Sequence, residues 1–257
     1  MNFSIIAGLT ILGMIGGTLC MMELGRRLGV RRLARDPESA KASTGAIEGA
    51  VFGLLGLLIA FTFSGAAARF DARRQMIVEE ANSIGTAWLR LDLLPVAVQS
   101  PLREKFRQYL DARLAVFRKL PNRDESKIEL ARAAAAQNDI WVQAVAGCSG
   151  SHTATVLLLP ALNQMFDVAT SRTFGTQMHP PPIIYAMLGL LLFAGSLLAG
   201  VDQGVGKLRN WFHVLAFVLV MTLTVYLIVD FEFPRVGLIR IHGFEQALVE
   251  LRQAMGP

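Results

Sequence analysis

The hydrophobic residues of this chain are concentrated in four long blocks. The blocks cover residues 3–22, 49–68, 183–201 and 211–229, and none of them contains Asp, Glu, Lys or Arg. About twenty residues in a helix, at 1.5 Å per residue, reach about 30 Å, which is the thickness of the hydrocarbon core of a bilayer. The pattern therefore predicts an all-α integral membrane protein with four transmembrane helices arranged in two pairs.

The segment between the two pairs is more polar and has a helical period. Apolar residues recur there at three- and four-residue spacing, which places them on one helix face: Ile77, Ala81, Ile84, Trp88 and Leu91. No proline interrupts the chain between the second block and Pro95. We therefore expect the second span to continue as one helix into the polar segment. Further helices are predicted at residues 101–120, 123–147 and 155–168.

These elements divide the chain into four predicted regions. They are a first transmembrane pair at 1–68, a helical extramembrane domain at 69–179, a second transmembrane pair at 180–230 and a C-terminal tail at 231–257. Composition agrees with a lipid environment, because 53% of the residues are hydrophobic and 18% are charged, whereas soluble domains carry about 25% charged residues.

We attribute the formal net charge of +5 to basic residues that set the membrane topology. No nucleic-acid motif is present, so no nucleic-acid partner is expected. The two short inter-span loops carry eight basic residues: Arg26, Arg27, Arg31, Arg32, Arg35, Lys41, Lys207 and Arg209. The opposite side carries six: Arg69, Arg73, Arg74, Arg172, Arg235 and Arg240. Basic short loops face the cytoplasm. We therefore expect the N-terminus, the middle domain and the C-terminal tail to lie outside.

Signatures of enzymes are missing from the sequence. It has no phosphate loop, no H-E-x-x-H and no C-x-x-C pair. The run from Gly147 to His152 departs from a nucleophile elbow, because its second glycine comes one residue early. A dyad of Cys148 and His152 lacks a third partner, so an inter-helix loop is expected there. The four histidines are single, so neither a metal site nor a cofactor is predicted.

Glycines recur at helical spacing in the first two blocks. Gly13 and Gly17 form one G-x-x-x-G pair, and Gly49 and Gly53 form another that Gly56 extends by one turn. Such faces let helix backbones approach closely in lipid. They indicate either packing among the four spans of one chain or packing of a pore-lining helix in an oligomer.

The end of the second block combines features of a gate and a pore mouth. Phe61, Phe63 and Ser64 precede a run of small residues, and Arg69 and Arg73 follow it. Bulky apolar side chains can close a pore by dewetting, and a ring of arginines attracts anions. The competing interpretation is that the aromatic rings face lipid or neighbouring helices and the arginines contact headgroups.

Acidic residues near these segments have simpler expected roles. Glu79 and Glu80 follow the arginines by one to two turns and are candidates to pair with Arg73 and Arg74 where neighbouring helices bring them together. Glu48 and Asp230 flank the apolar blocks and are expected to be solvated.

Four motifs resemble the bacterial bestrophin-like family. They are LLGLLIAFTFS at 54–64, RFDARR at 69–74, EANSIGTAWLR at 80–90 and DFEFPRVGLI at 230–239. The resemblance implies kinship to bestrophins, which are pentameric anion channels with two helix pairs around a helical domain. It implies a homo-oligomer in a bacterial inner membrane, with inorganic ions such as chloride as its partners. The bestrophin middle domain is cytoplasmic, whereas the charge count here places it outside.

Two principal hypotheses follow. The first is an oligomeric, anion-permeable channel lined by the second span. The second is a non-conducting membrane scaffold or sensor whose helical domain binds a partner. A proton-driven stator shares the two-plus-two topology, but it requires a cytoplasmic domain, which the charge count disfavours.

Overall fold

The computed structural model describes residues 3–38, 45–119, 122–206, 211–233 and 242–256. Within these ranges the chain forms helices and no strand. The helices are α1 (Phe3–Arg35), α2 (Gly45–Arg90), α3 (Val96–Arg118), α4 (Arg123–Cys148), α5 (His152–Gly175), α6 (Pro182–Val205), α7 (Trp211–Glu232) and α8 (His242–Ala254). Five of the basic residues counted for topology and most of the last motif lie outside the described residues: Lys41, Lys207, Arg209, Arg235, Arg240 and residues 234–239.

Four helices are long and apolar enough to cross a membrane: α1, α2, α6 and α7. The predicted class, an all-α protein with four membrane-spanning helices, is confirmed. α1 is longer than its apolar block because the helix continues through an arginine-rich stretch as far as Arg35, two residues before Pro37.

The predicted continuous helix is also confirmed. α2 has 46 residues and is followed by a short 3₁₀ turn at Leu91–Leu93, just before Pro95. The helix face expected from the sequence is the buried one, since Ile77 and Ile84 are no more than 1% exposed.

Two of the predicted helices have different bounds. α3 begins at Val96, so Pro101 lies inside the helix instead of opening it. At its sixth position this proline removes only one hydrogen bond near the start. α5 is longer than 155–168, because the hydroxyl of Ser151 accepts a hydrogen bond from the backbone N–H of Ala154 and starts the helix early. Gly150, at φ +93°, makes the turn before it.

The chain divides into two compact units. The membrane unit comprises residues 1–70 and 179–239, and the helical unit comprises residues 71–178 and 240–257. α2 contributes its first part to the membrane unit and its last part to the helical unit. α8 belongs to the helical unit, with its Leu248 side chain fully buried.

In the membrane unit, α1 and α6 cross with their backbones in contact. A Cβ added to Gly25 would lie 2.0 Å from the carbonyl oxygen of Leu197, and one added to Gly200 would lie 2.1 Å from that of Met22. Gly29 and Gly204 repeat the arrangement one turn on, since a Cβ added to either would lie 2.3 Å from a carbonyl oxygen of the facing helix. Only glycine permits so close an approach.

The rest of the membrane unit is joined by aliphatic side chains. Leu55 of α2, Leu188 and Leu192 of α6, and Val225 and Ile228 of α7 form one buried cluster. A smaller cluster joins α1 to α7.

The helical unit is built around a buried ion cluster. The Glu80 carboxylate accepts a hydrogen bond from Arg113 Nε at 2.5 Å and a second, on its other oxygen, from Arg172 Nη1. The side chains of all three residues are no more than 3% exposed. Arg113 also donates to the carbonyl of Ala169 at 3.2 Å, and the Arg172 guanidinium lies 3.5 Å from the ring centre of Phe117. The expected pairing of Glu80 with Arg73 or Arg74 is therefore wrong.

Electrostatics at this cluster favour the ionised carboxylate. Burial by itself raises the pKa of Glu80, but attraction and hydrogen bonds from Arg113 and Arg172 outweigh burial and bring its pKa below the usual glutamate value. Glu80 lies twelve residues beyond the apolar block that ends at Ala68. The cluster thus ties α2, α3 and α5 together through one charged group.

Candidate functional site

One face of the first part of α2 consists of small residues: Gly49, Gly53, Gly56, Ala60 and Ser64. At 100° per residue they fall within an arc of about 80°. All five are exposed in the chain. No described atom lies within 4 Å of a Cβ added to any of the three glycines. We call this surface the small-residue face.

The other predicted packing glycines divide into two kinds. A Cβ on Gly17 would lie 2.8 Å from the ring of Phe193 in α6, so this glycine packs within the chain. Gly13, by contrast, faces open space. The close helix approach inside the membrane unit is made instead by Gly25, Gly29, Gly200 and Gly204. Both of these pairs have the G-x-x-x-G spacing in the sequence, although they are not among the packing glycines predicted from it.

Phe61 and Phe63 lie on different sides of α2. Phe63 borders the small-residue face, 40% exposed, with its ring edge-on to Phe231 at 5.5 Å. Phe61 is 69% exposed and lines a cleft on the other side of the helix. Phe63 therefore belongs to the edge of the small-residue face and Phe61 to the cleft.

The cleft has a volume of about 170 Å³. α2 lines it with Leu58, Phe61, Thr62, Gly65 and Arg69, and the rest comes from Pro180, Ile184, Tyr185 and Ile228. A Cβ on Gly65 would lie 3.2 Å from Arg69 Nη1, so the guanidinium lies across the helix at this glycine. Apart from Arg69 and the hydroxyls of Thr62 and Tyr185, the lining is apolar.

Arg69 takes part in an ion cluster at the end of the membrane unit. Its Nε and Nη2 both contact Glu232 Oε2 at 2.8 Å. The other carboxylate oxygen of Glu232 lies 2.9 Å from His179 Nδ1, and the His179 ring stacks on Phe233 at 4.6 Å. The Glu232 side chain is fully buried, whereas that of Arg69 is 34% exposed. The positive charge of Arg69 is therefore largely balanced.

Arg73 belongs to the helical unit and is 7% exposed. Its Nε donates to the carbonyl of Gly175 at 3.2 Å and its Nη2 to that of Met178 at 2.9 Å. These bonds satisfy carbonyl groups at and just beyond the C-terminal end of α5, where a cation is favourable. The role of Arg69 and Arg73 at a pore mouth stays a prediction.

The expectation for two flanking acids is wrong. Glu48 is 9% exposed and Asp230 is 3% exposed, so neither is solvated. The Tyr226 hydroxyl donates to Asp230 Oδ1 at 3.4 Å, one helical turn away. Sequence position at the edge of an apolar block does not show which side of a helix faces its neighbours.

Comparison with known proteins identifies the family of this chain. The profile of the Bestrophin-like domain family matches residues 17–242. The chain belongs to the bestrophin-like family. The resemblance inferred from the four motifs is confirmed. No curated protein and no solved structure matches the chain.

The described residues of this bestrophin-like protein do not bring together three or more His, Cys, Asp or Glu side chains in a metal-binding arrangement. The thiol of Cys148 is buried and the His152 side chain is exposed. Burial raises the pKa of the Cys148 thiol, which leaves it a poor nucleophile. The surface best suited to function is the small-residue face with Phe63 at its edge.

Proposed function

We propose that this protein is an oligomeric membrane channel permeable to anions such as chloride. In this proposal α2 from each subunit lines the pathway with its small-residue face, which is narrowed at Phe63 and Ser64. The observation that carries the proposal is that this face is exposed along the first part of the helix and has no partner atom beside its glycines. Membership of a family whose bestrophin-type members are often channels rather than enzymes supports it.

The small-residue face favours assembly for a physical reason. Inside a bilayer, apolar side chains gain little by leaving lipid for protein, so helices associate where small residues let backbones come close. The α1–α6 crossing is an example of this close packing within one chain. A second glycine surface that no part of the chain covers is suited to another copy of α2. A pentamer is the stoichiometry that the family resemblance implies.

The choice between the two aromatic residues follows from their placement. Phe63 borders the face proposed to line the pathway, whereas Phe61 lies in the cleft with Arg69. We therefore assign the apolar constriction to Phe63, next to the hydroxyl of Ser64, and give Phe61 no part in it. An apolar ring of this kind gates by excluding water.

Anion preference is expected to be modest. Arg69 is the basic residue nearest the constriction along α2, but Glu232 balances its charge at 2.8 Å. Replacing Glu232 by Gln would leave the guanidinium charge uncompensated and should increase chloride selectivity over sodium. Arg69→Gln should have the opposite effect and also remove the arginine partner of the buried Glu232 carboxylate.

The proposed orientation places the end of α1 in the cytoplasm. The exposed arginines after the first apolar block support this. Two of the arginines counted on the opposite side, Arg73 and Arg172, are buried in contacts of the helical unit. They therefore count less in the comparison of basic residues on the two sides of the membrane. α8 belongs to the same unit as residues 71–178, and two spans between them return the chain to one side. Cysteine placed at Ala34 should resist an impermeant thiol reagent in intact cells.

The direct test is current through the purified protein in planar bilayers. Phe63→Ala should raise the conductance, because it removes the apolar constriction. Phe61→Ala is the matched control, with the same side-chain change two residues away, and should leave the conductance close to wild type. A larger effect from Phe61 would move the pathway to the cleft. If wild type and both variants carry no current, the scaffold or sensor hypothesis replaces the channel.

Assembly is tested separately by the mass of the detergent-solubilised particle. Gly53→Leu places a bulky side chain on the small-residue face, at a position where an added Cβ has no described atom within 4 Å. The particle should become smaller or aggregate while the helix content is retained. A wild-type mass equal to one subunit would contradict the oligomer.

A further inference from the structure

The last turns of α1 carry a stripe that changes from apolar to basic. Leu24, Leu28, Arg31 and Arg35 follow one another at four-, three- and four-residue spacing, so they share a helix face. The two leucines are 47% and 43% exposed. Both arginines are exposed, and neither has a hydrogen bond or ion pair within the described residues. We call this surface the α1 stripe.

The α1 stripe points away from the neighbouring helix. Gly25 and Gly29 hold α1 against α6, and at 100° per residue their direction lies about 110° from that of the stripe. Leu24 and Leu28 are therefore free to contact lipid or another molecule. Glu23, the acidic residue of α1, is already paired with Arg26 and Arg27 at 2.9 and 3.0 Å. Asp36 follows Arg35 directly in the chain and forms no ion pair with either stripe arginine within the described residues.

The order of residues along the α1 stripe follows the layers of a bilayer leaflet, with the apolar residues first and the basic residues beyond them. Arg31 lies about 4.5 Å beyond Leu28 along the axis, and Arg35 about 10.5 Å beyond it. The headgroup region of one leaflet is about 5–7.5 Å thick. Side chains of a helix tilt toward its N-terminus, which here is the membrane side. Both guanidinium groups therefore lean back toward the headgroups, and the two leucines lie on the membrane side of them.

We propose that the α1 stripe is a binding surface for the phosphate groups of anionic phospholipids in the adjoining leaflet. Guanidinium groups form paired hydrogen bonds with phosphate oxygens. The two leucines would hold the acyl chains beneath the same headgroup. Juxtamembrane arginines of this kind attract anionic lipid, and the attraction weakens with added salt. The proposal concerns a lipid surface and does not depend on ion conduction.

The test measures lipid preference of the full chain in phosphatidylcholine vesicles with spin-labelled probes. Wild type should bind spin-labelled phosphatidylglycerol more tightly than spin-labelled phosphatidylcholine. Arg31→Gln with Arg35→Gln should reduce that preference by about fivefold or more. Arg31→Lys with Arg35→Lys should retain most of it, because the charge remains. Arg118→Gln with Lys127→Gln removes the same charge from exposed residues of the helical unit and should leave the preference unchanged.

Each other outcome overturns the proposal. Equal loss in both Gln variants would show that the effect is net charge and not this stripe. Loss of the preference on adding inorganic phosphate at matched ionic strength would indicate a soluble phosphate ligand. A change in particle mass in the Arg31→Gln, Arg35→Gln variant would assign the surface to another copy of the chain. Helix content of each variant, measured by circular dichroism, separates these results from misfolding.

Discussion

The two units of this protein hold their helices together in opposite ways. In the membrane unit, α1 and α6 meet with backbone against backbone at four glycines: Gly25, Gly29, Gly200 and Gly204. In the helical unit, α2, α3 and α5 meet through a buried carboxylate and two guanidinium groups. The α1–α6 junction uses residues without side chains, whereas the junction of α2, α3 and α5 uses large charged side chains.

The difference follows from the solvent that each unit is suited to. Between apolar helices in lipid, association depends on close contact and dispersion, which glycine maximises. Where water surrounds a unit, hydrophobic burial already drives association, and a buried charge is tolerated when an opposite charge and hydrogen bonds compensate it. Both kinds of junction occur in this one chain. Substitutions at the two junctions should therefore destabilise the protein for different physical reasons.

The largest effect is expected at the buried carboxylate. Glu80→Gln leaves the buried Arg113 guanidinium without a counter-charge and leaves Arg172 with only Glu245, at 3.7 Å. Removing one partner of such a cluster costs about 3–5 kcal/mol. The free energy of unfolding, followed by circular dichroism in detergent, should fall by that amount. The neighbouring Glu79 is exposed, so Glu79→Gln is the matched control and should change little. Equal effects would show that the buried ion cluster does not stabilise the helical unit.

The glycine crossing should give the next largest effect. Gly200→Ala places a methyl group 2.1 Å from the Met22 carbonyl oxygen, so the two helices must move apart. Overpacking of this kind costs about 1–3 kcal/mol, and more where backbone cannot yield. Gly189→Ala in the same helix meets no described atom within 4 Å and should be neutral or slightly stabilising. Thermal unfolding in detergent compares the two variants, and identical midpoints would contradict the backbone contact.

Acid should weaken the helical unit through Glu80. Its pKa in the folded protein lies below the usual glutamate value of 4.5. The stabilisation is therefore complete above the unfolded pKa and is lost as pH falls through the lower folded pKa. The Glu80→Gln variant should lack this part of the acid transition. A wild-type stability that stays constant below pH 4 would contradict the assignment.

The smallest effect is expected at an exposed ion pair of the same unit. Arg252 of α8 contacts Asp111 of α3 at 2.9 Å, with the two side chains 26% and 54% exposed. Surface pairs contribute about 0.2–1 kcal/mol. Asp111→Asn should lower the free energy of unfolding by no more than that. A loss as large as that of Glu80→Gln would remove the distinction between buried and exposed pairs.

The sequence predicted what depends on local periodicity. Apolar blocks predicted the four membrane helices, and the spacing from Ile77 to Leu91 predicted the buried face of α2. It did not predict which charges meet, because Glu80 and its partners are separated by 33 and 92 residues. Glu232 was missed for the same reason, being 163 residues from Arg69. Among glycines with equal spacing, only tertiary packing separates those at 25, 29, 200 and 204 from those on the small-residue face.

The most direct measurement of the central claim is chemical modification of the proposed pathway during current recording. Cys20 and Cys148 are first replaced by Ala, and Ser64→Cys or Phe61→Cys is then introduced. A charged, water-soluble thiol reagent should block most of the current at position 64, because that side chain lies on the small-residue face. Modification at position 61, in the cleft, should leave the current nearly unchanged. Block at position 61 without block at position 64 would contradict a pathway lined by the small-residue face.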